Sequence, residues 1–280
     1  MNYYTYAKHR TLITVEGADA KKLLQGLMTN NIDTVSDQTS IYSLFLTPQG
    51  RFLYDCFIFK TEQGFALDVL EEVSEALIQL LLKFRLRAQV IIEKQDQPLP
   101  IYFSFGEECQ DVPGRTEFSD KGLMMVDPRL ASLGRRYYGQ KPEGVEVPFE
   151  DYDSYRLAQG VPEAFQDLYK EKSIPLECGL DDLHGIAWDK GCYMGQELTA
   201  RTKHQGLVRK RLLPFTFCGD NLPHGTPVLN DGEEVGQVRS TRSGKGIAMI
   251  RLETLKPDVS MQAETFEIKP YVTPWMKINS

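Results

Sequence analysis

The spacing of apolar residues changes near Gly206, and this change constrains the fold more than any other feature of the sequence. Before it, stretches with helical spacing alternate irregularly with strand-like stretches. After it, short runs such as LLPFTF, EVGQVRS and GIAMIRL alternate with turns that contain Gly, Pro, Asn and Asp. The pattern therefore predicts an α+β region over residues 1–205 and a small β-barrel domain over residues 206–280.

Three segments of the first region have the spacing of helices. One follows a candidate N-cap at Asp19, the second covers residues 71–89, and the third covers residues 152–159 and ends before Gly160. The runs IYSLFL, RFLYDCFIF and FALDV lie between the first two and are rich in branched and aromatic residues. We interpret them as strands.

Composition and charge exclude several classes of protein. With 41% hydrophobic and 25% charged residues among 280, the chain can bury a sizeable core. A net charge of -7 argues against direct binding of nucleic acid, and no apolar run is long enough to predict a membrane span. The start, MNYYTYAKHR, lacks the apolar segment of a secretory signal.

Cysteine usage indicates a reducing compartment. The five cysteines are odd in number and widely spaced, which fits neither a disulfide framework nor a CxxC metal site. We predict a cytoplasmic protein on the assumption of a bacterial source. A mitochondrial protein that has lost its transit peptide would give the same sequence pattern.

Asp55 is the first candidate functional residue. In RFLYDCFIF, alternation places Arg51, Asp55 and Phe57 on one face of the strand. A buried carboxylate needs a raised pKa, a partner or a ligand, because burying an unpaired charge costs several kcal/mol. Two interpretations stay open, an ion pair with Arg51 and a ligand-binding role.

The second candidate is the segment KGCYMGQELTAR, residues 190–201. Cys192 follows Lys190 and precedes a helix-forming run that opens at Gly195. A lysine and a helix N-terminus would both stabilise a thiolate, which is the form that attacks electrophiles and ligates metals. The alternative is an inert buried cysteine, which is the expected state of Cys56 in its apolar strand.

Charges that follow Cys192 are less specific. Glu197 and Arg201 are four apart and would pair on one helical face. The basic run from Arg201 to Arg211 could hold a polyanionic ligand or an acidic partner, or could be a solvated face. The sequence contains no motif of a zinc hydrolase, a nucleophile elbow or a dinucleotide-binding loop.

KGCYMGQELTAR closely resembles the signature of the YgfZ family, folate-binding proteins of iron-sulfur cluster maintenance that are related to the glycine cleavage T-protein. The matching positions are Lys190, Gly191, Cys192, Tyr193, Gly195, Gln196, Glu197, Ala200 and Arg201. LLQGLMTNNI, YRLAQGVPEA and IPLECGLDDL are similar to further family blocks. The resemblance thus spans most of the chain and implies a T-protein type folate-binding domain followed by a small barrel.

The family implies a tetrahydrofolate-dependent accessory factor for assembly or repair of iron-sulfur clusters, including those of radical-SAM enzymes that methylthiolate tRNA. Its functional thiol is Cys192, assisted by Lys190. The thiol would transiently ligate a 2Fe-2S cluster shared with an A-type iron-sulfur carrier, and the carrier would supply the other ligands of that cluster. Client iron-sulfur proteins are the further partners that the family implies. Only a thiolate ligates iron, which agrees with the expected low pKa of Cys192.

The resemblance also implies folate contacts. QGRFLYDCFIF is similar to the T-protein strand whose catalytic aspartate falls on Asp55. We assign to cofactor binding the residues Asp55, Arg51, Arg156, Glu177, Gln196, Glu197 and Arg201. One departure is plain, since Ala158 stands where the T-protein has the glutamate that holds the pterin. Glu177, Glu163 or a backbone carbonyl could replace it.

Three functions are compared. The first is the accessory factor, not a conventional enzyme. The second is an aminomethyltransferase of glycine cleavage, a folate-dependent one-carbon transferase that would use Asp55. The third is a non-catalytic folate-binding adaptor. Ala158 and the cysteine signature favour the first.

Overall fold

A computed structural model of the chain describes residues 1–95, 99–107, 109–206, 208–256 and 259–278. The helices are α1 (Ala20–Leu27), α2 (Ser74–Arg85), α3 (Phe149–Gln159) and α4 (Gln196–His204). The strands are β1 (Tyr3–Tyr6), β2 (Arg10–Glu16), β3 (Ile41–Leu46), β4 (Phe52–Lys60), β5 (Gly64–Leu70), β6 (Ile91–Lys94), β7 (Ile101–Phe105), β8 (Thr116–Ser119), β9 (Gly122–Val126), β10 (Arg135–Tyr138), β11 (Val145–Glu146), β12 (Lys210–Phe217), β13 (Pro227–Asn230), β14 (Glu233–Arg242), β15 (Lys245–Arg251), β16 (Met261–Ala263) and β17 (Phe266–Pro270). The α+β prediction is confirmed.

The first compact unit comprises residues 1–49, 53–149 and 183–196. It contains a sheet of order β11-β1-β7-β10-β9-β8 and a sheet of order β3-β4-β5-β2-β6. Strands β3 and β4 are buried on both faces, which explains why they are continuous apolar runs. Helix α2 contacts β2 and β6, and α1 contacts β5.

A buried ion cluster joins the two sheets of this unit. Asp68 of β5 accepts hydrogen bonds from Arg10 of β2 and from Arg136 and Tyr138 of β10. Asp127 accepts from Arg136 and Arg129. Burial raises the pKa of Asp127, but the two guanidinium groups outweigh it and bring the pKa down to about 2. Asp127 is therefore charged at neutral pH, and the hydrogen bonds of Asp68 link strands of both sheets.

The second compact unit comprises residues 50–52, 150–182 and 197–280. Its barrel has the order β12-β15-β14-β13-β16-β17 and closes because β17 pairs with β12, with Phe217 opposite Ile268. Leu213, Val238 and Ile250 are fully buried in its core. The predicted barrel is thus observed, and its strands begin at Lys210. Neither unit is continuous in the chain. The boundary predicted at residue 206 therefore lies close to the start of the barrel but does not separate the two units.

The helices differ from the sequence prediction at their ends. Asp19 makes no side-chain cap to α1, and its carboxylate instead accepts a hydrogen bond from Gln89 N. The predicted second helix is shorter, because a 3-10 turn precedes Ser74 and Leu86 leaves helical geometry at φ 48°. Helix α3 starts three residues earlier than predicted and ends before Gly160, whose φ is 73°. Strand β11 lies between β10 and α3 and pairs parallel with β1.

Candidate functional site

The signature segment is divided between the two units. Residues 190–196 belong to the first unit, whereas residues 197–201 belong to the second and continue α4. The helix predicted after Cys192 is observed. It begins at Gln196, four residues beyond the cysteine, and Gly195 precedes it with φ 85°.

Lys190 is buried and caps the C-terminus of α1. Its Nζ donates to the carbonyls of Gln25, Met28 and Asn30 at 2.9, 2.7 and 2.8 Å. These carbonyls lie at and beyond the last turn of α1, which has no basic residue of its own. A cation at this end donates hydrogen bonds to carbonyls that the helix leaves unpaired, and it interacts favourably with the helix dipole. Burial lowers the pKa of Lys190 to about 8, and the carboxylate of Asp33 acts against that shift.

Cys192 is an exposed free thiol in a loop fixed on both sides. On one side Lys190 is anchored to α1, and on the other Met194 N donates to Gly26 O at 3.2 Å. Tyr193 between them is buried, with the Lys190 ammonium 5.2 Å from its ring centroid. The sequence predicts that Lys190 and the N-terminus of the following helix stabilise the Cys192 thiolate. In the structure the three N–H donors of Lys190 bond to three carbonyls instead. Cys192 also lies four residues before the first residue of α4.

Asp55 is buried on β4, as predicted, with 4% of its surface exposed. Its Oδ2 accepts a hydrogen bond from the Tyr42 hydroxyl at 2.9 Å. Asn30 Nδ2 donates to the Tyr42 carbonyl at 2.7 Å, and the Asn30 carbonyl accepts from Lys190. A continuous series of hydrogen-bonding residues therefore leads from Asp55 to Lys190. Sequence reasoning missed Asn30 and Tyr42, although Asn30 lies in the family-like stretch LLQGLMTNNI.

Two other cysteines show what an inert thiol looks like in this chain. Cys56 is buried, and burial followed by the charge of Asp55 raises its pKa well above the usual value. Burial likewise raises the pKa of Cys178 to about 12. Both side chains are protonated core residues at neutral pH. Cys192 differs from these two in its exposure, which it shares with Cys218.

Arg156, assigned to cofactor binding, is fully buried in the second unit. Its guanidinium donates to Asp153 at 2.7 Å, to Asp167 at 2.7 Å and to Gln166 at 2.8 Å. Burial opposes the charge of Arg156, but the two carboxylates raise its pKa above the usual value. These contacts make Arg156 a structural anchor of α3. Its assignment as a folate ligand stays a prediction that its internal hydrogen bonds do not support.

Ala158 and Glu177 also lie in the second unit. Ala158 offers only its carbonyl, which accepts from the Tyr271 hydroxyl at 2.9 Å. Glu177 is half-buried, and burial raises the pKa of its carboxyl group against the opposing charges of Lys210, Arg51 and Arg239. Arg51 donates to the Lys172 carbonyl at 3.1 Å.

The remaining assigned residues are on α4. Gln196 is half-exposed, and Glu197 and Arg201 are exposed. In the part of the chain that the structure describes, Glu197 and Arg201 do not form the ion pair expected from their spacing. Two cations of the basic run are neutralised within the unit, Lys203 by Asp181 at 2.8 Å and Arg211 by Asp182.

The described residues contain no ready-made metal site. Within residues 1–95, 99–107, 109–206, 208–256 and 259–278, no group of three or more His, Cys, Asp or Glu side chains could hold a metal ion. In the same ranges no helix is long and apolar enough to cross a membrane.

Known proteins resemble this chain over most of its length. Residues 209–278 match the model of the CAF17 C-terminal beta-barrel domain. A human protein named iron-sulfur cluster assembly factor IBA57, mitochondrial, is 34% identical over 91% of this chain and 79% of its own length. The chain belongs to the IBA57/CAF17 family. This family includes the YgfZ homologues, so the resemblance noted in the sequence is confirmed.

Further relatives agree. The mouse protein of the same name is 31% identical over 88% of this chain and 77% of its own, and the Pyricularia oryzae homologue is 35% identical over 98% and 85%. The glycine cleavage aminomethyltransferase T from Bartonella henselae superposes with a TM-score of 0.80 at 13% identity, covering 98% of this chain and 86% of that one. That similarity confirms the T-protein type of fold and shows the fold alone.

The cytoplasmic prediction is wrong. The human, mouse, Mycosarcoma maydis and Neurospora crassa relatives are all named as mitochondrial, which points to mitochondria. The sequence could not separate the two compartments, because both are reducing and both give the same cysteine usage.

Proposed function

We propose that this chain is an iron-sulfur cluster assembly factor that acts through Cys192. The observation that carries the proposal is an exposed thiol in a loop anchored on both sides, at Lys190 and at Met194. The names of the family members support the assembly role. The described residues contain no group of three or more His, Cys, Asp or Glu side chains that could hold a metal, so we propose that a partner supplies the other ligands of the cluster.

The chemistry required of Cys192 is ligand exchange. The thiol releases its proton to water, and the thiolate sulfur forms a bond to one iron of a 2Fe-2S cluster that the partner holds. A water or small thiol leaves that iron, so no electron is gained or lost. The partner we propose is an A-type iron-sulfur carrier, and the cluster is the cargo. Lys190 and Asn30 are positioning residues, since the hydrogen bond from Lys190 Nζ to the Asn30 carbonyl helps to anchor the loop of Cys192.

The test uses cells that lack the native gene. Cys192→Ser should abolish the activity of a 4Fe-4S enzyme and leave glycine cleavage unchanged. Cys218→Ser is the matched control, because Cys218 is also an exposed free cysteine. Methylthiolation of tRNA, measured by mass spectrometry in the same strains, tests whether radical-SAM enzymes are among the clients. Full iron-sulfur activity with Cys192→Ser contradicts the proposal.

Loss of glycine cleavage alone would instead support the aminomethyltransferase. Ala158 argues against that function, since the pterin amines would lack the carboxylate that accepts their N–H groups, and unpaired buried donors cost about 1 to 3 kcal/mol each. Retention of both activities would support the adaptor.

We propose further that tetrahydrofolate is the small-molecule cofactor and that Asp55 contacts it. The support is a buried carboxylate fixed by the Tyr42 hydroxyl, an acceptor suited to the ring N–H groups of a pterin. Ala158 has no side-chain acceptor for the pterin amines, and the buried Glu163 and the half-buried Glu177 stay the candidate replacements. When bound, tetrahydrofolate supplies amines that carry one-carbon units.

Calorimetric titration with tetrahydrofolate tests each residue by itself. Asp55→Asn should weaken binding about tenfold or more, because one charged hydrogen bond contributes about 1.5–3 kcal/mol. Glu177→Gln measures the contribution of the Glu177 carboxyl group. An unchanged affinity with Asp55→Asn would remove this residue from the folate site.

A further inference from the structure

An open groove lies between α1 and the end of α2 in the first unit. It encloses about 470 Å³. Its apolar lining comes from both elements and consists of Leu23, Gly26, Leu27, Phe84, Leu86 and Ala88. Gly26 is exposed, and a Cβ built on it meets nothing within 4 Å. The groove floor is therefore accessible down to the backbone of α1.

Leu86 is the most unusual residue of the groove. Its side chain is 84% exposed and its backbone has φ 48° and ψ -111°, a combination that favours glycine. A leucine at such a position gains no burial within the chain and carries backbone strain. Folding alone would favour glycine here, so the exposed leucine fits a role in contact with another molecule.

Cations surround the apolar lining. The groove lining includes the basic residues Lys22, Arg85 and Arg87 and one acidic residue, Asp19. That carboxylate accepts a hydrogen bond from Gln89 N. The chain as a whole has a net charge of -7. The cationic rim attracts an acidic partner surface, whereas the net charge of -7 on each copy makes two copies of this chain repel one another.

The groove adjoins the loop of Cys192. Gly26, which lines the groove, accepts the hydrogen bond of Met194 N. Lys190 is bonded to the carbonyls that follow on the same helix end, those of Met28 and Asn30. A molecule seated in the groove therefore lies against the helix that holds both anchors of the thiol loop.

We propose that this α1–α2 groove is the docking site for the protein that brings the cluster to Cys192, and that the partner inserts an apolar side chain from an acidic surface. The inference rests on the proposed function and adds the surface and the chemistry of the partner. Leu86 and Phe84 contact the apolar side chain, and Arg87 and Lys22 pair with the acids around it.

The probe is a purified A-type carrier loaded with 2Fe-2S, titrated into the full chain by calorimetry. Gly26→Trp should fill the groove, and Leu86→Gly should remove its apolar contact. Each should weaken binding about tenfold or more, as expected for loss of one buried leucine-sized contact. Leu86→Gly should do so without lowering the melting temperature, because glycine relieves the strain. Weaker binding without a loss of stability would show that Leu86 acts in docking and not in folding.

Matched controls accompany both kinds of change. Gly26→Ala adds only a methyl group and should leave the affinity within about twofold of wild type. Arg87→Glu should slow association about tenfold at low salt, with the difference shrinking as salt rises. Lys121→Glu reverses an exposed charge elsewhere in the unit and should not change the association rate.

Three results overturn the docking proposal. One is an unchanged affinity for the carrier in both Gly26→Trp and Leu86→Gly. Another is the absence of carrier binding by the wild-type chain. The third is a wild-type dimer that dissociates with Leu86→Gly, which would assign the groove to a second copy. The Cys192→Ser comparison in cells decides the proposed function independently of all three.

Discussion

Replacing Lys190 with methionine tests whether this residue is part of the thiol chemistry or part of the fold. Methionine keeps an unbranched side chain, one atom shorter, but donates no hydrogen bond, so the carbonyls of Gln25, Met28 and Asn30 lose their donor. Three charge-assisted bonds contribute about 4.5–9 kcal/mol, at about 1.5–3 each. Desolvation of the ammonium offsets several kcal/mol. The expected net loss of unfolding free energy is about 3–5 kcal/mol.

Scanning calorimetry measures the loss as a fall in melting temperature of about 10 °C, since each kcal/mol shifts a unit of this size by about 2–4 °C. Cys192→Ser is the control, and its melting temperature should stay within about 2 °C of wild type because the thiol is exposed. Alkylation of Cys192 followed against pH gives a second readout. An unchanged melting temperature in Lys190→Met, together with slower alkylation of Cys192 at neutral pH, would refute the capping role. It would show instead that the Lys190 ammonium acts on the thiol.

Three further predictions concern stability. The folded pKa of Asp127, about 2, lies below its ordinary value of 3.8. Its contribution of about 2 kcal/mol is therefore present above pH 4 and lost as pH falls through 2, so the unfolding free energies of wild type and Asp127→Asn in urea should converge in acid. Arg156→Met should lower the unfolding free energy by about 3–5 kcal/mol, and calorimetry should show no change for the exposed Arg201→Met. Gly17→Ala should destabilise by at least about 1 kcal/mol, because its Cβ would lie 2.4 Å from a carbonyl oxygen at φ 113°, whereas Gly26→Ala should stabilise by about 0.5–1 kcal/mol in thermal melts.

The elements with strong periodicity were predictable from the sequence. Strand β3 coincides with the run IYSLFL, and the barrel strands follow the change in pattern near Gly206. The six-stranded sheet of the first unit was missed. Its strands β8 and β10 have four residues each, and β11 has two. Such short strands are specified by pairing with distant segments, as β1 is with β7, and their own sequence carries little signal.

The candidate site shows the same limit. Burial of Asp55 followed from an apolar strand face, because the strand itself carries the information. The partners of Lys190 are 160 to 165 residues away in the chain, so nothing near position 190 could reveal them. Proximity in sequence suggested a contact with Cys192 instead. The other anchor of the Cys192 loop, Met194, likewise bonds to a distant residue, the carbonyl of Gly26.

One thiol at the surface also determines how cargo would leave. In the residues that the structure describes, Cys192 belongs to no group of three or more His, Cys, Asp or Glu side chains that could retain iron without a partner. Occupancy would then scale with the concentration of the donor protein, and the lifetime of the shared cluster would equal the lifetime of the encounter. Under that arrangement the factor needs no separate unloading step, because separation of the two proteins returns it to its empty state.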